Sequence, residues 1–422
     1  MSVLGHVRLF LKDLMTPINE KQWVFENVLG GGYADNPKYL SEKLHELDDS
    51  AEIVWLLNEK LSHDDLPDYV KAVPAGSKES EKYYFSGKIF INNSCFRGVT
   101  VLGNGFKAHL KRALLRIKYI KKYVKKGQKV YSTWHGTPLK LIERDLWEHD
   151  GNTVLDFMSD GSALILGNQF TAQKMRYATF GKVPVEVLGS PRNDLLFGAQ
   201  GEGVDFREKL GLPADKKLIL FAPTFRNGKK DYVDTNIYRS GIDQLNIIDF
   251  PKLFETLKNK FGGSWVMVCR FHSVAKQLVD WDALSKQYGG QIINGNAHED
   301  MTEYLACADI LLTDASSSIF DFILTERPCF LYFPDLEHYE TVERGFYMPI
   351  KELPFPLAVE FDELLENIRD FDNDKYIDGI NKLKEEMGYR EDGHASERIL
   401  EWIFKDAGWH VETPGEPKDE ES

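Results

Sequence analysis

Short apolar runs rich in β-branched and aromatic residues alternate with helix-like segments along this chain, and the alternation runs twice. In the first half, "NPKYLSEKLHEL" predicts a helix, "AEIVWLLN" a strand, "YYFSGKIFINNS" a helix passing into a strand, and "QKVYSTWHG" a strand closed by a turn. "GSALILGN" is a further strand, followed by the helix "QFTAQKMRYAT" and the strand "VPVEVLG". The glycine-rich "FGAQGEGVD" then reads as a linker. After it, "DFREKLGLP" predicts a short helix with Asp205 as N-cap, Gly211 as stop and Pro213 just beyond. The strands "KKLILFAPT", "SWVMVCRFHS", "GQIING", "DILLTDA" and "PCFLYFP" follow, interleaved with the helices "DFPKLFETLKNKF", "EDMTEYLACA" and "SSIFDFILTE".

Strands separated by helices of such length pair in parallel and need cover on both faces. A chain of 422 residues also exceeds the roughly 250–300 residues at which a single core stops growing. The pattern therefore predicts an α/β protein of two Rossmann-like domains facing a central cleft. The expected boundaries are 1–198 and 199–405, with 406–422, acidic and proline-containing, as a disordered tail.

Charge and cysteine usage exclude several classes. A net charge of −14 disfavours non-specific binding to nucleic acid. The four cysteines, Cys95, Cys269, Cys307 and Cys329, form no C-x-x-C pair, so neither a zinc site nor a disulfide framework is expected, and a reducing cytoplasm fits. No acidic cluster marks a metal site, and no cofactor is expected to be tightly bound. No stretch approaches the ~18 apolar residues of a membrane span. The start, "MSVLGHVRLFLKDLM", carries Arg8 and Lys12 among its apolar residues and is not expected to be a secretory signal.

Open α/β sheets bind ligands outside the carboxyl ends of their strands. The polar residues at those ends are Asn92 and Asn93, then Trp134, His135, Gly136 and Thr137, in the first half. In the second half they are Thr224 and Arg226, Arg270 and His272, and Thr313 and Asp314 with Ser316, Ser317 and Ser318. Acid–base groups, guanidiniums and hydroxyls together suit a phosphorylated ligand. An ordinary helix N-cap requires one serine, so three at a strand's end point to an anion. His135 and His272 lie in different halves; a neutral imidazole there could accept a hydroxyl proton, and a protonated one could stabilise phosphate. Neither a Walker loop nor a dinucleotide fingerprint is present.

Between Phe106 and Lys129, "FKAHLKRALLRIKYIKKYVKKGQK" holds ten lysines or arginines and no acid. Phe106, Leu110, Ala113, Ile117, Ile120 and Val124 recur at helical spacing, while Lys107, Lys111, Lys118 and Lys122 fall on the adjoining faces. Such a helix at 106–126 fits an anionic membrane surface. It equally fits a helix packing its stripe on the protein's own core, and a basic wall around an anionic acceptor is a third reading.

"WHGTPLK", "LGSPRND", "LFAPTFR", "LLTDASSSIFDF" and "RPCFLYFPDLEHYETVERGFY", in that order between about residues 20 and 400, resemble the CDP-glycerol glycerophosphotransferases, the teichoic-acid primase and polymerase enzymes and their capsule relatives. The resemblance implies a GT-B fold and a peripheral enzyme of the cytoplasmic membrane face. It further implies transfer of a polyol phosphate, glycerol or ribitol, from a CDP-activated donor to a hydroxyl of a lipid-linked or polysaccharide acceptor, releasing CMP. By the same resemblance His135 takes the place of the catalytic base and His272 that of a second histidine at the donor phosphates. Pro223, Thr224 and Arg226 would bind the nucleotide, Asp314, Ser316 and Ser317 the pyrophosphate, with Arg270, Ser318 and Arg344 alongside. Asn92, Trp134, Gly136, Thr137 and Lys140 fall on the acceptor side. Two departures from the family pattern are Ser273 where proline usually follows the second histidine, and Met348–Pro349 after "RGFY". The length before the first motif resembles primase or capsule enzymes more than long polymerases. The rival readings are a GT-B glycosyltransferase using a UDP- or GDP-sugar and a non-catalytic membrane-binding scaffold.

Overall fold

The computed structural model describes residues 11–12, 14–27, 31–59, 66–94, 125–142, 145, 161–178, 183–198, 206–224, 242–271, 279–343 and 345–411. The chain divides into two compact units: Met1–His135, Thr153–Asp194 and Arg390–Ser422 form one, and Gly136–Asn152 and Leu195–Tyr389 the other. The passage at Asp194–Leu195 lies close to the boundary expected after residue 198. Two stretches fall with the opposite unit from the one their order predicts, 136–152 with the second and the chain from Arg390 with the first. Asp406 and Ala407 close the helix Ala395–Ala407 and so are not tail. Residues 412–422 of the expected tail, and 106–124 of the expected basic helix, lie outside the described residues.

The first unit is built on seven strands: β1 (Asn19–Glu26), β2 (Glu52–Leu57), β3 (Lys71–Pro74), β4 (Gly87–Asn92), β5 (Lys129–Ser132), β6 (Ala163–Leu166) and β7 (Val185–Val187). Their order is β3-β2-β1-β4-β5-β6-β7, and every described pairing is parallel. The central strands bury both faces, as the unbroken apolar runs of β2 and β6 require. Neither β1, the first strand in chain order, nor the short β3 is marked by the apolar pattern; β1 is nevertheless buried. Its buried stretch is Gln22, Trp23, Val24 and Phe25, and the buried Gln22 amide oxygen accepts a bond of 2.6 Å from Ser86.

Aromatic rings fill this core. Phe25 stacks on Trp55 at 5.8 Å between centroids, and Trp409 meets Trp23 edge-on at 5.3 Å. Helix Ala395–Ala407 lays Ala395, Ile399, Leu400 and Ile403 into the same cluster. Asp194 caps that helix, accepting 2.7 Å bonds from the backbone N–H groups of Ala395 and Ser396. From its other end, Asp406 accepts bonds from the Tyr131 hydroxyl (2.6 Å) and Lys129 (2.8 Å) on β5.

The second unit repeats the design with β8 (Lys217–Ala222), β9 (Trp265–Cys269), β10 (Ile292–Asn294), β11 (Ile310–Thr313), β12 (Cys329–Tyr332) and β13 (Leu357–Ala358), ordered β10-β9-β8-β11-β12-β13. In both units, therefore, the first strand sits mid-sheet and the chain reverses direction beside it, between β1 and β4 and between β8 and β11. The Asp249 and Asp300 side chains cap helices Phe250–Phe261 and Met301–Cys307. The helix expected from Asp205 is absent: residues 206–212 close one turn, with Leu212 N–H reaching Arg207 O. Gly211 turns left-handed (φ 65°), and the Arg207 guanidinium takes the carbonyls of Pro213 and Lys216, so the chain folds back before a second turn.

Gly189, after β7, has φ 103°, and a Cβ there would stand 2.5 Å from Ala395 Cβ and 2.8 Å from Arg390 O. Gly189→Ala is expected to lower unfolding free energy by about 2 kcal/mol or more, measured by urea denaturation.

Candidate functional site

Where a parallel sheet reverses its winding, strand ends part and leave backbone groups to be satisfied by side chains. In the first unit this opening lies at the carboxyl ends of β1, β4 and β5. Asn92 ends β4, and its carbonyl is taken by Thr133 N–H at 2.8 Å. The next carbonyl, of Asn93, lies 2.8 Å from His135 Nδ1. A carbonyl oxygen can only accept, so Nδ1 carries the hydrogen and the neutral ring keeps its lone pair on Nε2. Trp134, buried and left-handed at φ 53°, stacks on the imidazole at 4.1 Å. Trp134 thus forms one wall of the ring's seat.

Four residues that strand-end reading does not select, Asp35, Asn36, Arg192 and Asn27, complete the cluster. Asp35 begins the helix Asp35–Leu47 with φ 62°. Its Oδ2 accepts a 2.7 Å bond from the Asn93 side chain. Its Oδ1 accepts from Arg192 Nη1 and from Asn36 N–H, both at 2.7 Å. Arg192 Nη1 also donates to His135 O at 3.0 Å, and Asn36 donates to Trp134 O at 3.0 Å. Asn93 further donates to Asn27, just after β1, at 2.7 Å. A signal existed: Arg192 lies within "LGSPRND", and Asp35-Asn36-Pro37 is a helix-start sequence. Asn27 follows β1, which the apolar pattern does not mark.

His135 is exposed, yet the protein atoms around its ring cost it solvation, and that lowers its pKa. The Asn93 carbonyl and the Asp35 carboxylate pull it upward, and the Arg192 charge pushes it down. The net direction keeps the imidazole neutral at neutral pH. A ring-proton NMR titration of His135 is expected to give a midpoint below the ordinary histidine value of about 6.5; a midpoint above it would contradict the site's electrostatics.

In the second unit, Gly136 (φ 126°), the buried Thr137 and Lys140 belong to a segment paired with the remainder of the "RGFY" turn. Lys140 forms an antiparallel bridge with Phe346, Leu141 N–H reaches Gly345 O and Tyr347 N–H reaches Leu139 O, both at 2.9 Å. Two motifs that sequence reading quotes separately thus share one backbone ladder. Tyr347 also bonds the Asp145 carboxylate through its hydroxyl.

At the β8/β11 reversal, Asp314 is fully buried. It accepts Thr224 N–H at 2.8 Å and the Gln244 amide at 3.3 Å, fixing the turn that follows Ala222 and Pro223. Ser316 and Ser318 hydroxyls bond each other at 2.8 Å, and Ser318 N–H points to Ser316 Oγ. The helix after them, Ser318–Phe322, has five residues before tightening into a 3₁₀ turn at Ile323–Thr325. It therefore has little dipole, and an anion would rely on hydroxyl and N–H groups instead. Arg270 directs its guanidinium to the carbonyls of Gly295, His298 and Glu299 and over the Tyr304 ring at 5.0 Å. It shapes that loop. Arg226, His272 and Arg344 lie outside the described residues. Among the described residues no three His, Cys, Asp or Glu side chains converge as a metal site.

The model of the family CDP-Glycerol:Poly(glycerophosphate) glycerophosphotransferase matches residues 9–405. A teichoic acid poly(glycerol phosphate) polymerase of Bacillus spizizenii is 29% identical over 92% of this chain and 93% of its own length. A teichoic acid glycerol-phosphate transferase of Staphylococcus aureus is 27% identical, covering 92% of this chain and 94% of its own. The chain spans 50% of the length of a Bacillus subtilis poly(glycerol phosphate) polymerase that it matches at 28% identity. A Staphylococcus aureus ribitol-phosphate polymerase aligns with 51% of this chain. Among solved structures, the wall teichoic acid polymerase TagF superposes with a TM-score of 0.73 at 24% identity, covering 96% of each chain. That likeness establishes the GT-B fold.

Proposed function

This chain belongs to the CDP-glycerol:poly(glycerophosphate) glycerophosphotransferase family, and on that premise we propose that it transfers glycerol phosphate from CDP-glycerol to a hydroxyl of a teichoic-acid-type acceptor. The acceptor oxygen attacks the glycerol-bearing phosphorus, the bond from that phosphorus to the CMP oxygen breaks, and CMP leaves. The proton of the acceptor hydroxyl passes to His135 Nε2. Glycerol is favoured over ribitol because the matching family model is that of glycerophosphotransferases and two glycerol-phosphate relatives align along more than nine-tenths of this chain, whereas a ribitol-phosphate polymerase, like a glycerol-phosphate primase, aligns along half.

The observation that carries this reading is the bond between His135 Nδ1 and the Asn93 carbonyl, which leaves Nε2 free to take a proton. In this reading His272, Arg226 and Arg344 neutralise the diphosphate with Ser316 and Ser317, since charge stabilisation is the main task in phosphoryl transfer. Pro223 and Thr224 line the nucleotide, positioned by Asp314. Asn92 and Trp134 are assigned to the acceptor side in the first unit, and Gly136, Thr137 and Lys140 in the second.

The acceptor would be met at an anionic membrane surface. Leu11, Leu14 and Met15 are 48%, 71% and 75% exposed, within one short stretch that also carries Lys12. They supply an apolar face suited to the acyl boundary, and Lys107, Lys111, Lys118 and Lys122 are the proposed contacts for lipid headgroups. No described helix is long and apolar enough to cross a membrane. Leu14→Glu with Met15→Glu is expected to reduce co-flotation with phosphatidylglycerol liposomes, without changing turnover of a soluble acceptor analogue.

The central test is incubation with CDP-glycerol, CDP-ribitol, a UDP-sugar and an acceptor, followed by mass spectrometry. CMP release with an acceptor grown by one glycerol phosphate is expected; UDP release would favour the glycosyltransferase reading. His135→Ala should lower kcat by roughly 10²–10⁴-fold. Because the neutral ring is the active form and its pKa is lowered, kcat should hold as pH falls to 6.5 and decline below it.

A further inference from the structure

We infer that Asp35 is a positioning residue that sets both the place and the tautomer of the His135 imidazole; the inference rests on the proposed role of His135 as proton acceptor. The carboxylate reaches the histidine by two separate arms. Through Oδ2 it holds the Asn93 side chain, whose own backbone carbonyl accepts the imidazole Nδ1–H. Through Oδ1 it holds Arg192, whose same Nη1 grips the His135 carbonyl. One arm thus fixes the ring and the other the backbone from which the ring hangs.

Local geometry supports a role beyond helix capping. Asp35 is left-handed, a conformation that non-glycine residues seldom adopt and that persists where surroundings dictate it. An ordinary cap has an extended backbone and satisfies helix N–H groups. Asp35 does bond Asn36 N–H, yet its remaining acceptor sites face the strand end and the arginine. The Arg192–Asp35 pair is largely buried, with side chains 10% and 20% exposed. Removing one charge therefore leaves the other poorly solvated, and the arrangement tolerates little drift. The charged groups acting on the imidazole are Asp35, from the helix start, and Arg192, from the turn after β7.

Asparagine tolerates left-handed backbone, so Asp35→Asn keeps the fold while placing an NH2 against donors. With CDP-glycerol and acceptor, kcat is expected to fall roughly 10- to 100-fold, the scale of a misplaced catalytic group, with the donor KM little changed. Because the Asp35 carboxylate raises the His135 pKa, its removal should move the acidic limb to lower pH. Nitrogen-15 shifts of the His135 ring supply a readout independent of turnover: wild type should show the Nδ1–H tautomer, and Asp35→Asn a mixture. If Asp35→Asn fails to fold, Asp35→Gly retains the backbone and serves for the same measurements. Unchanged kcat, pH limb and tautomer in a folded variant would overturn the inference. Failure of wild type to release CMP would instead overturn the proposed reaction, and the tautomer measurement would still decide the role of Asp35.

Discussion

Where a parallel sheet reverses its winding, the chain leaves neighbouring strands toward opposite faces and opens a crevice at their carboxyl ends, and the rest of this structure follows from how the backbone groups just past those ends are satisfied. A carbonyl or N–H stranded there must find a partner or carry a desolvation cost of about 1–3 kcal/mol. In the first unit the Asn93 carbonyl is met by an imidazole, and in the second the Thr224 N–H is met by a carboxylate. Both solutions put chemically useful groups at a strand end with their orientation fixed by backbone. The candidate site is in that sense the sheet's own repair.

The same constraint explains why the two units, with no sequence repeat, share one strand order. Each begins with its middle strand, builds outward to one edge, then returns and builds to the other. The polar cluster in each unit lies at the return. Their chemistry differs, however. The first gathers a base with an ion pair, whereas the second gathers hydroxyls around a buried aspartate, which suits a proton transfer in one unit and anion binding in the other.

Much of this was legible in sequence. β2, β8, β11 and β12 announce themselves as unbroken apolar runs because both faces are buried. His135 and Asp314 were reachable by asking which polar residues end those runs. β1 was not, since its Trp23–Val24–Phe25 lies between Gln22 and Glu26 and its pairing on both sides is set by neighbours distant in sequence. Losing β1 also hid Asn27. Asp35 and Arg192 carried a signal but were passed over for another reason: each belongs to a local motif, a helix start and a turn, whose ordinary explanation suffices until the fold brings them 2.7 Å apart. Apolar periodicity likewise says that Ile399, Leu400 and Ile403 are buried, but not against which sheet.

That last packing choice bears on how the molecule comes into being. Trp23 and Trp55 share a core with Ile399 and Ile403, so the opening third of the polypeptide leaves the ribosome with one side of its interior bare. Through synthesis of the entire second unit, that greasy face must wait uncovered, a natural stopping place for a chaperone. Only when the helix beyond residue 395 emerges can the earliest-made strands settle.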